Sequence, residues 1–72
     1  MKMLDKLSRV FPSVYKVEED RNANVSGSPA TKFIIHQQGY EPHEFAFAKA
    51  NHMDEHHMFT VIVSYLKNRT GR

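Results

Sequence analysis

The first eleven residues place their apolar side chains on one side of a helix. Each residue of an α-helix is rotated by 100° from the one before it, and at this spacing the apolar side chains lie within an arc of about 120°. The cations lie on the other side. The apolar set is Met3, Leu4, Leu7, Val10 and Phe11. Because Pro12 lacks a backbone N–H and restricts the residue before it, the pattern predicts a helix that ends at Phe11.

A second and wider apolar arc follows Asn51. At helical pitch it covers roughly 200° and comprises Met58, Phe59, Val61, Ile62, Val63, Tyr65 and Leu66. Asn51 is predicted to cap this helix, with acids in its first turn and cations in its last turn. Because one flat surface needs a narrower arc, we expect the helix to contact both a sheet and the first helix, or a second copy of the chain. This arc favours a homodimer.

Three segments between the helices favour β-strands. They are Ser13–Glu19, Lys32–Gln37 and Glu44–Ala48, which contain β-branched and aromatic residues. In the third segment large and small residues alternate, so Phe45 and Phe47 are predicted to face the same side. Residues 20–31 collect Asn, Ser, Gly and Pro without an apolar period, and this composition predicts a loop.

The order of these elements predicts one α+β domain over residues 1–72. We expect a three-stranded antiparallel sheet in α-β-β-β-α order, with both helices on one face, because a chain of this length has room for one core. The predicted core is Leu4, Leu7, Val10, Phe11, Phe33, Ile35, Phe45, Phe47, Met58, Val61, Ile62, Tyr65 and Leu66.

Composition excludes several classes of site. The chain has no cysteine, so it has no disulfide, thiol nucleophile or thiolate metal site. No apolar run approaches the roughly 20 residues of a membrane span, and residues 1–11 carry too many charges for a secretory signal. The sequence also has no glycine-rich phosphate loop and no serine in a nucleophile elbow. We expect a cytoplasmic protein that is not an enzyme and needs no cofactor.

The net charge of +2 is unevenly distributed. Residues 1–11 hold three cations and one acid, and residues 67–72 hold three cations and no acid. The segment between them holds four cations, seven acids and all five histidines. Histidines titrate near pH 6.5, so one hypothesis is that this segment senses pH.

Residues 52–56, His-Met-Asp-Glu-His, suggest a metal site. Two histidines at i and i+4 on a helix can share one metal ion, with Glu55 beside His52 and His56. His43 or His36 would supply a further ligand. The alternative is that these residues are the polar first turn of a helix, because a zinc protease with this motif needs a third ligand and a longer chain.

The basic ends suggest an alternative function, nucleic-acid binding. Its candidate residues are Lys2, Lys6, Arg9, Lys67, Arg69 and Arg72. The predicted element order and the chain length are similar to those of the double-stranded-RNA-binding domain, whose helices straddle the duplex. That resemblance implies a cluster of lysines at the start of the last helix. This chain has an acidic, histidine-rich turn there.

We expect instead that the chain is an accessory or regulatory protein that binds another protein. Helices on one face of the sheet leave the other face open, and the residues predicted there lack strong charges. The candidate contact residues are Tyr15, Ile34, His36, Tyr40, Ala46 and Ala48, with the two tyrosines as aromatic anchors. The alternative reason for small side chains at these positions is a tightly packed sheet.

Overall fold

The computed structural model describes residues 2–71 and confirms the predicted α+β fold. Three antiparallel strands form one sheet in the order β1-β2-β3. The elements are α1 (Met3–Val10), β1 (Val14–Val25), β2 (Ser28–Gln37), β3 (His43–Ala48), a 3-10 turn (Lys49–Asn51) and α2 (Glu55–Thr70). Neither of the two described α-helices is long and apolar enough to cross a membrane.

The predicted loop at residues 20–31 is wrong, because this segment belongs to two paired strands. β1 and β2 run on into a long hairpin that closes at Ser26 and Gly27, where φ is 53° and 81°. Positive φ at both central residues is the requirement of a two-residue hairpin turn of type I′. Most side chains of the hairpin are exposed, so its strands need no apolar alternation. Because these strand segments are mostly polar, the sequence pattern did not indicate that they are strands.

The two strand pairs differ in regularity. The β1–β2 register shifts twice, between Val14 and Lys16 and between Asp20 and Ala23. The β2–β3 register runs without a shift over the whole of β3. Bulges twist a strand and interrupt its hydrogen-bond ladder, so β1 is an irregular edge strand and β3 a regular one.

The core lies between one face of the sheet and both helices. Its buried members are Met3, Leu7, Val14, Phe33, Ile35, Phe45, Phe47, Met58, Ile62 and Leu66. The prediction that Val10 and Val61 belong to the core is wrong, since they are 50% and 38% exposed. Val10 is the last residue of α1, beyond the buried cluster. Val61 lies about 100° around α2 from buried Ile62.

α2 begins later than predicted. The side chain of Asp54, rather than Asn51, caps it by accepting a hydrogen bond from the backbone N–H of His57 at 2.8 Å. Asn51 lies in the preceding 3-10 turn, which ends at His52 with φ of 51°. The two segments are therefore separated by a left-handed residue and do not form one helix.

Candidate functional site: the uncovered face of the sheet

Neither of the helices described within residues 2–71 packs on one of the two faces of the sheet. Both helices pack on the side of Phe33, Ile35, Phe45 and Phe47, and the alternate residues of each strand point to the opposite side. Cross-strand pairing arranges these residues in rows: Lys16–His36, then Glu18–Ile34–Glu44, then Asp20–Lys32–Ala46, then Ala23–Ala30–Ala48. We call this set the uncovered face.

The centre of the uncovered face is one apolar side chain between two ion pairs. Glu18 Oε2 lies 2.7 Å from His36 Nε2, and Glu44 Oε2 lies 3.3 Å from Lys32 Nζ. Ile34 is half-buried between them. A shallow hollow of about 270 Å³ opens here, lined by Glu18, Glu19, Asp20, Lys32, Ile34 and Glu44. The expectation that this face lacks strong charges is therefore wrong, because β1 contributes acids to it and Lys32 of β2 and Glu44 of β3 also lie there.

The Glu18–His36 pair is the best-defined polar contact of the face. The hydrogen bond from His36 lowers the pKa of Glu18 below its ordinary value, and the charge of Lys16 adds to this effect. His36 is held in place, with its side chain only 16% exposed. Tyr15 lies beside it with ring centroids 6.0 Å apart, and Tyr15 itself is 63% exposed. A large aromatic surface is thus available at this end of the face.

The other end of the face is built from small side chains. Ala23, Ala30 and Ala48 form one row across all three strands. A hollow of about 260 Å³ lies beside them, lined by Val25, Ser28, Pro29, Ala30, Ala46 and Ala48. Because methyl groups rise little above the backbone, this end can receive a bulkier side chain from outside.

Tyr40 does not belong to the uncovered face. It follows β2, and its ring lies 4.8 Å from the Arg69 guanidinium of α2. It lines a separate groove of about 530 Å³ with Val10 and Lys67, at the C-terminal ends of both helices. The structure therefore brings together five of the six predicted protein-contact residues: Tyr15, Ile34, His36, Ala46 and Ala48.

Two of the candidate nucleic-acid residues make contacts within the chain. Lys6 Nζ lies 5.9 Å from the ring centroid of Phe59, and Arg69 binds β2 and the turn after it. Lys2, Arg9 and Lys67 are exposed. Arg72 lies outside the described residues. Nucleic-acid binding stays a prediction, with fewer free cations to support it.

Sequence reasoning missed a buried polar network around Gln37. This residue is 2% exposed, and its Oε1 accepts hydrogen bonds from Arg69 Nε at 3.1 Å and Nη2 at 3.0 Å. Its Nε2 donates to Ser13 Oγ at 2.9 Å, while Arg69 Nη1 donates to the carbonyl of Glu41 at 2.9 Å. The network joins α2 to the end of β2, to Ser13 just before β1 and to Glu41 in the connection between β2 and β3. Its only sequence signal was a polar residue at a core-facing position of β2.

The predicted metal residues are not arranged as a metal site. His52 lies before α2, so His52 and His56 do not share one helical face. Glu55 is hydrogen-bonded by Arg21. Of the proposed further ligands, His43 stacks on Tyr65 with centroids 4.0 Å apart, and His36 lies on the uncovered face. Within residues 2–71, no group of three or more His, Asp or Glu side chains is placed to hold a metal ion.

Comparison with known proteins adds no assignment. No protein-family model, curated protein or solved structure matches this chain. A small α+β fold hosts many functions, so the fold by itself does not indicate one. A functional proposal therefore depends on the surface of the molecule.

Proposed function

We propose that this chain is a small non-enzymatic protein that binds another protein through its uncovered face. The observation that carries the proposal is Ile34, an apolar side chain at the centre of a sheet face on which no described element packs. Sheet faces without a covering layer are common in antiparallel sheets, but they are usually polar throughout. Here the face carries exposed Tyr15 at one end, Ile34 at its centre and exposed Ala46 next to the alanine row, with charged side chains between them.

The charges of the face indicate the chemistry of the partner. Four acids and one lysine line the hollow around Ile34. Three of these acids pair within the chain, Glu18 with His36, Glu19 with Arg21 and Glu44 with Lys32. The hollow therefore keeps a net negative charge when His36 is neutral. Complementary potentials favour a partner segment that carries lysine or arginine at this place. The adjacent alanine row then accepts an apolar side chain from the same segment. We infer a partner with a basic residue next to a bulky apolar one.

Binding of this kind gives the chain an accessory or regulatory role. A small rigid domain acts on its partner by occupying a surface or holding a conformation, and it needs no catalytic group for this. The proposal does not depend on the basic residues of α1 or on Arg69, which serve other contacts or face solvent.

Site-specific crosslinking in the native host tests the proposal. A photoreactive amino acid at Lys16, which is exposed on the uncovered face, should give one dominant protein adduct. The same amino acid at Arg9, exposed on α1, should not give it. Mass spectrometry of the adduct identifies the partner.

A charge reversal adds specificity to this experiment. Glu44→Lys removes the partner of Lys32 and makes the hollow more positive, so the adduct should be lost. Asp5→Lys makes the same charge change on α1 and should leave the adduct intact. Adducts from Arg9 alone, adducts to nucleic acid, or an adduct unaffected by Glu44→Lys would each contradict the proposal.

A further inference from the structure

The two edges of the sheet are not alike. The β1 edge has two register shifts and three consecutive acids, Glu18 to Asp20, and both features hinder pairing with another strand. β3 has no shift, and its one charged side chain, Glu44, is paired with Lys32 of the same chain. Among the described residues no segment forms a hydrogen-bonded ladder with the outer side of β3. β3 is therefore an open edge with fewer features that hinder pairing than the β1 edge has.

An apolar flank of α2 lies on the same side of the molecule as this edge. Tyr65 packs on β3, with ring centroids 4.0 Å from His43 and 5.4 Å from Phe45. Val61 is one helical turn earlier and therefore shares this flank. α1 is on the opposite flank, where Lys6 lies over Phe59. α1 therefore does not cover the exposed side chain of Val61.

Glu44 is the one acid of β3, and β3 carries no lysine or arginine. On the flank, the Arg69 guanidinium lies 5.5 Å from the Tyr65 ring centroid. At helical pitch the α2 residues on either side of Val61 are Tyr65, His57 and Asn68, which carry no permanent charge. A surface of this kind can meet an identical surface without strong repulsion of like charges. A surface that carried several charges of one sign could not.

We propose that β3 pairs antiparallel with β3 of a second copy of this chain. The two sheets would form one continuous sheet, and the Val61 flanks of the two α2 helices would meet above the seam. This inference goes beyond the proposed function because it uses the strand edge rather than the sheet face. In the dimer the two uncovered faces lie side by side, and each remains accessible to its own partner.

We centre the two-fold axis on Ala46, one of the two central residues of β3, so that most of the strand is paired and directly opposed residues share a face. This register places Phe45 opposite Phe47 of the second copy on the core side. On the other side it places Glu44 opposite Ala48 of the second copy, so no like charges are opposed. Because the strands run in opposite directions, Glu44 near the start of β3 also comes close to Lys49, which follows the end of the other β3.

Sedimentation equilibrium of the purified chain over a range of concentrations tests the proposal. The wild-type protein should show a reversible monomer–dimer equilibrium. Ala46→Glu places two carboxylates opposite each other across the axis, while within one chain the new carboxylate lies opposite Lys32. Its dimer dissociation constant should rise about fivefold or more. Ala50→Glu adds the same charge in the exposed 3-10 turn and serves as the control.

Val61→Asp supplies a second variant if Ala46→Glu fails to fold. Val61 is exposed in the monomer, so the substitution should leave the chain folded. Each copy brings one new carboxylate to the contact between the α2 helices, so the dimer should be weakened. Isotope-filtered nuclear Overhauser spectra of mixed labelled and unlabelled protein should show contacts between β3 residues of different copies. A chain that stays monomeric at hundreds of micromolar would overturn the proposal. A dimer equally stable in Ala46→Glu, Val61→Asp and Ala50→Glu would also overturn it.

Discussion

Arg69→Met tests whether the buried network around Gln37 stabilises the fold. Methionine keeps an unbranched stem against Tyr40 and Tyr65, but it removes all three hydrogen bonds that the guanidinium donates. Gln37 Oε1 then loses both of its hydrogen-bond donors, although Gln37 is only 2% exposed. The expected structural consequence is a buried acceptor without a hydrogen-bond donor.

The expected loss in the free energy of unfolding follows from these contacts. A buried acceptor without a donor costs about 1–3 kcal/mol, and the lost cation–π contacts with the two tyrosines add about 0.5–1 kcal/mol. We expect a loss of about 2 kcal/mol in the free energy of unfolding, since Arg69 is only half-buried. In a domain of this size that corresponds to a decrease in Tm of about 8–16 °C.

Thermal and urea denaturation followed by circular dichroism measure this loss. Lys67→Met is the matched control because it removes an exposed cation two residues earlier in α2 and should change stability by less than about 0.5 kcal/mol. The double variant Gln37→Leu with Arg69→Met should be less destabilised than the sum of its single variants, since both polar partners are gone. Equal effects of Arg69→Met and Lys67→Met, or strict additivity in the double variant, would refute the reasoning.

Three further predictions concern the hairpin, the helix cap and the pH dependence of stability. Folding lowers the pKa of Glu18, so its contribution is present above the ordinary value of 4.5 and is lost as pH falls through the lowered value. The Tm difference between wild type and Glu18→Gln should therefore shrink on acidification below pH 4.5, and a constant difference would exclude the pair as its cause. Asp54→Ala removes the cap of α2 and should cost about 1 kcal/mol in urea denaturation, whereas Asn51→Ala should cost little; the reverse order would place the start of the helix at Asn51. Gly27→Ala forces a side chain into a φ of 81° and should cost about 1 kcal/mol, although open space surrounds the position; an unchanged Tm would contradict the tight turn.

The element order could be predicted because the spacing of apolar residues in each segment matches one type of secondary structure, and the apolar faces of the elements can share one core. Ile62 and Leu66 repeat at helical pitch, and Phe45 and Phe47 alternate at strand pitch, so both the elements and the shared core follow from spacing. The hairpin around Ser26 could not be predicted in this way. Its strands extend beyond the core, where no apolar face is needed, and only the turn residues carried a signal.

The candidate site was predicted in part. The alternation of residues within one strand indicates which side chains share a face, but it does not indicate which strands lie on either side. Ile34 and Ala46 were correctly expected on one face. Of the acids that surround Ile34, Glu44 comes from β3 and the other three come from β1, and the position of those three depends on a bulge that shifts the register near Tyr15. Gln37 was missed because its partner Arg69 lies 32 residues away, and pairing over that distance has no local pattern.

The central claim is that the uncovered face binds another protein. The most direct measurement is an amide NMR spectrum of the isotope-labelled chain recorded in lysate of the native host and compared with the spectrum in buffer. If the uncovered face binds a partner, the signals of Lys16, Ile34 and Ala46 should broaden in lysate, the signals of exposed residues of α1 should remain sharp, and Glu44→Lys should restore the broadened signals. Broadening confined to the helices, or a spectrum identical in lysate and buffer, would contradict the claim.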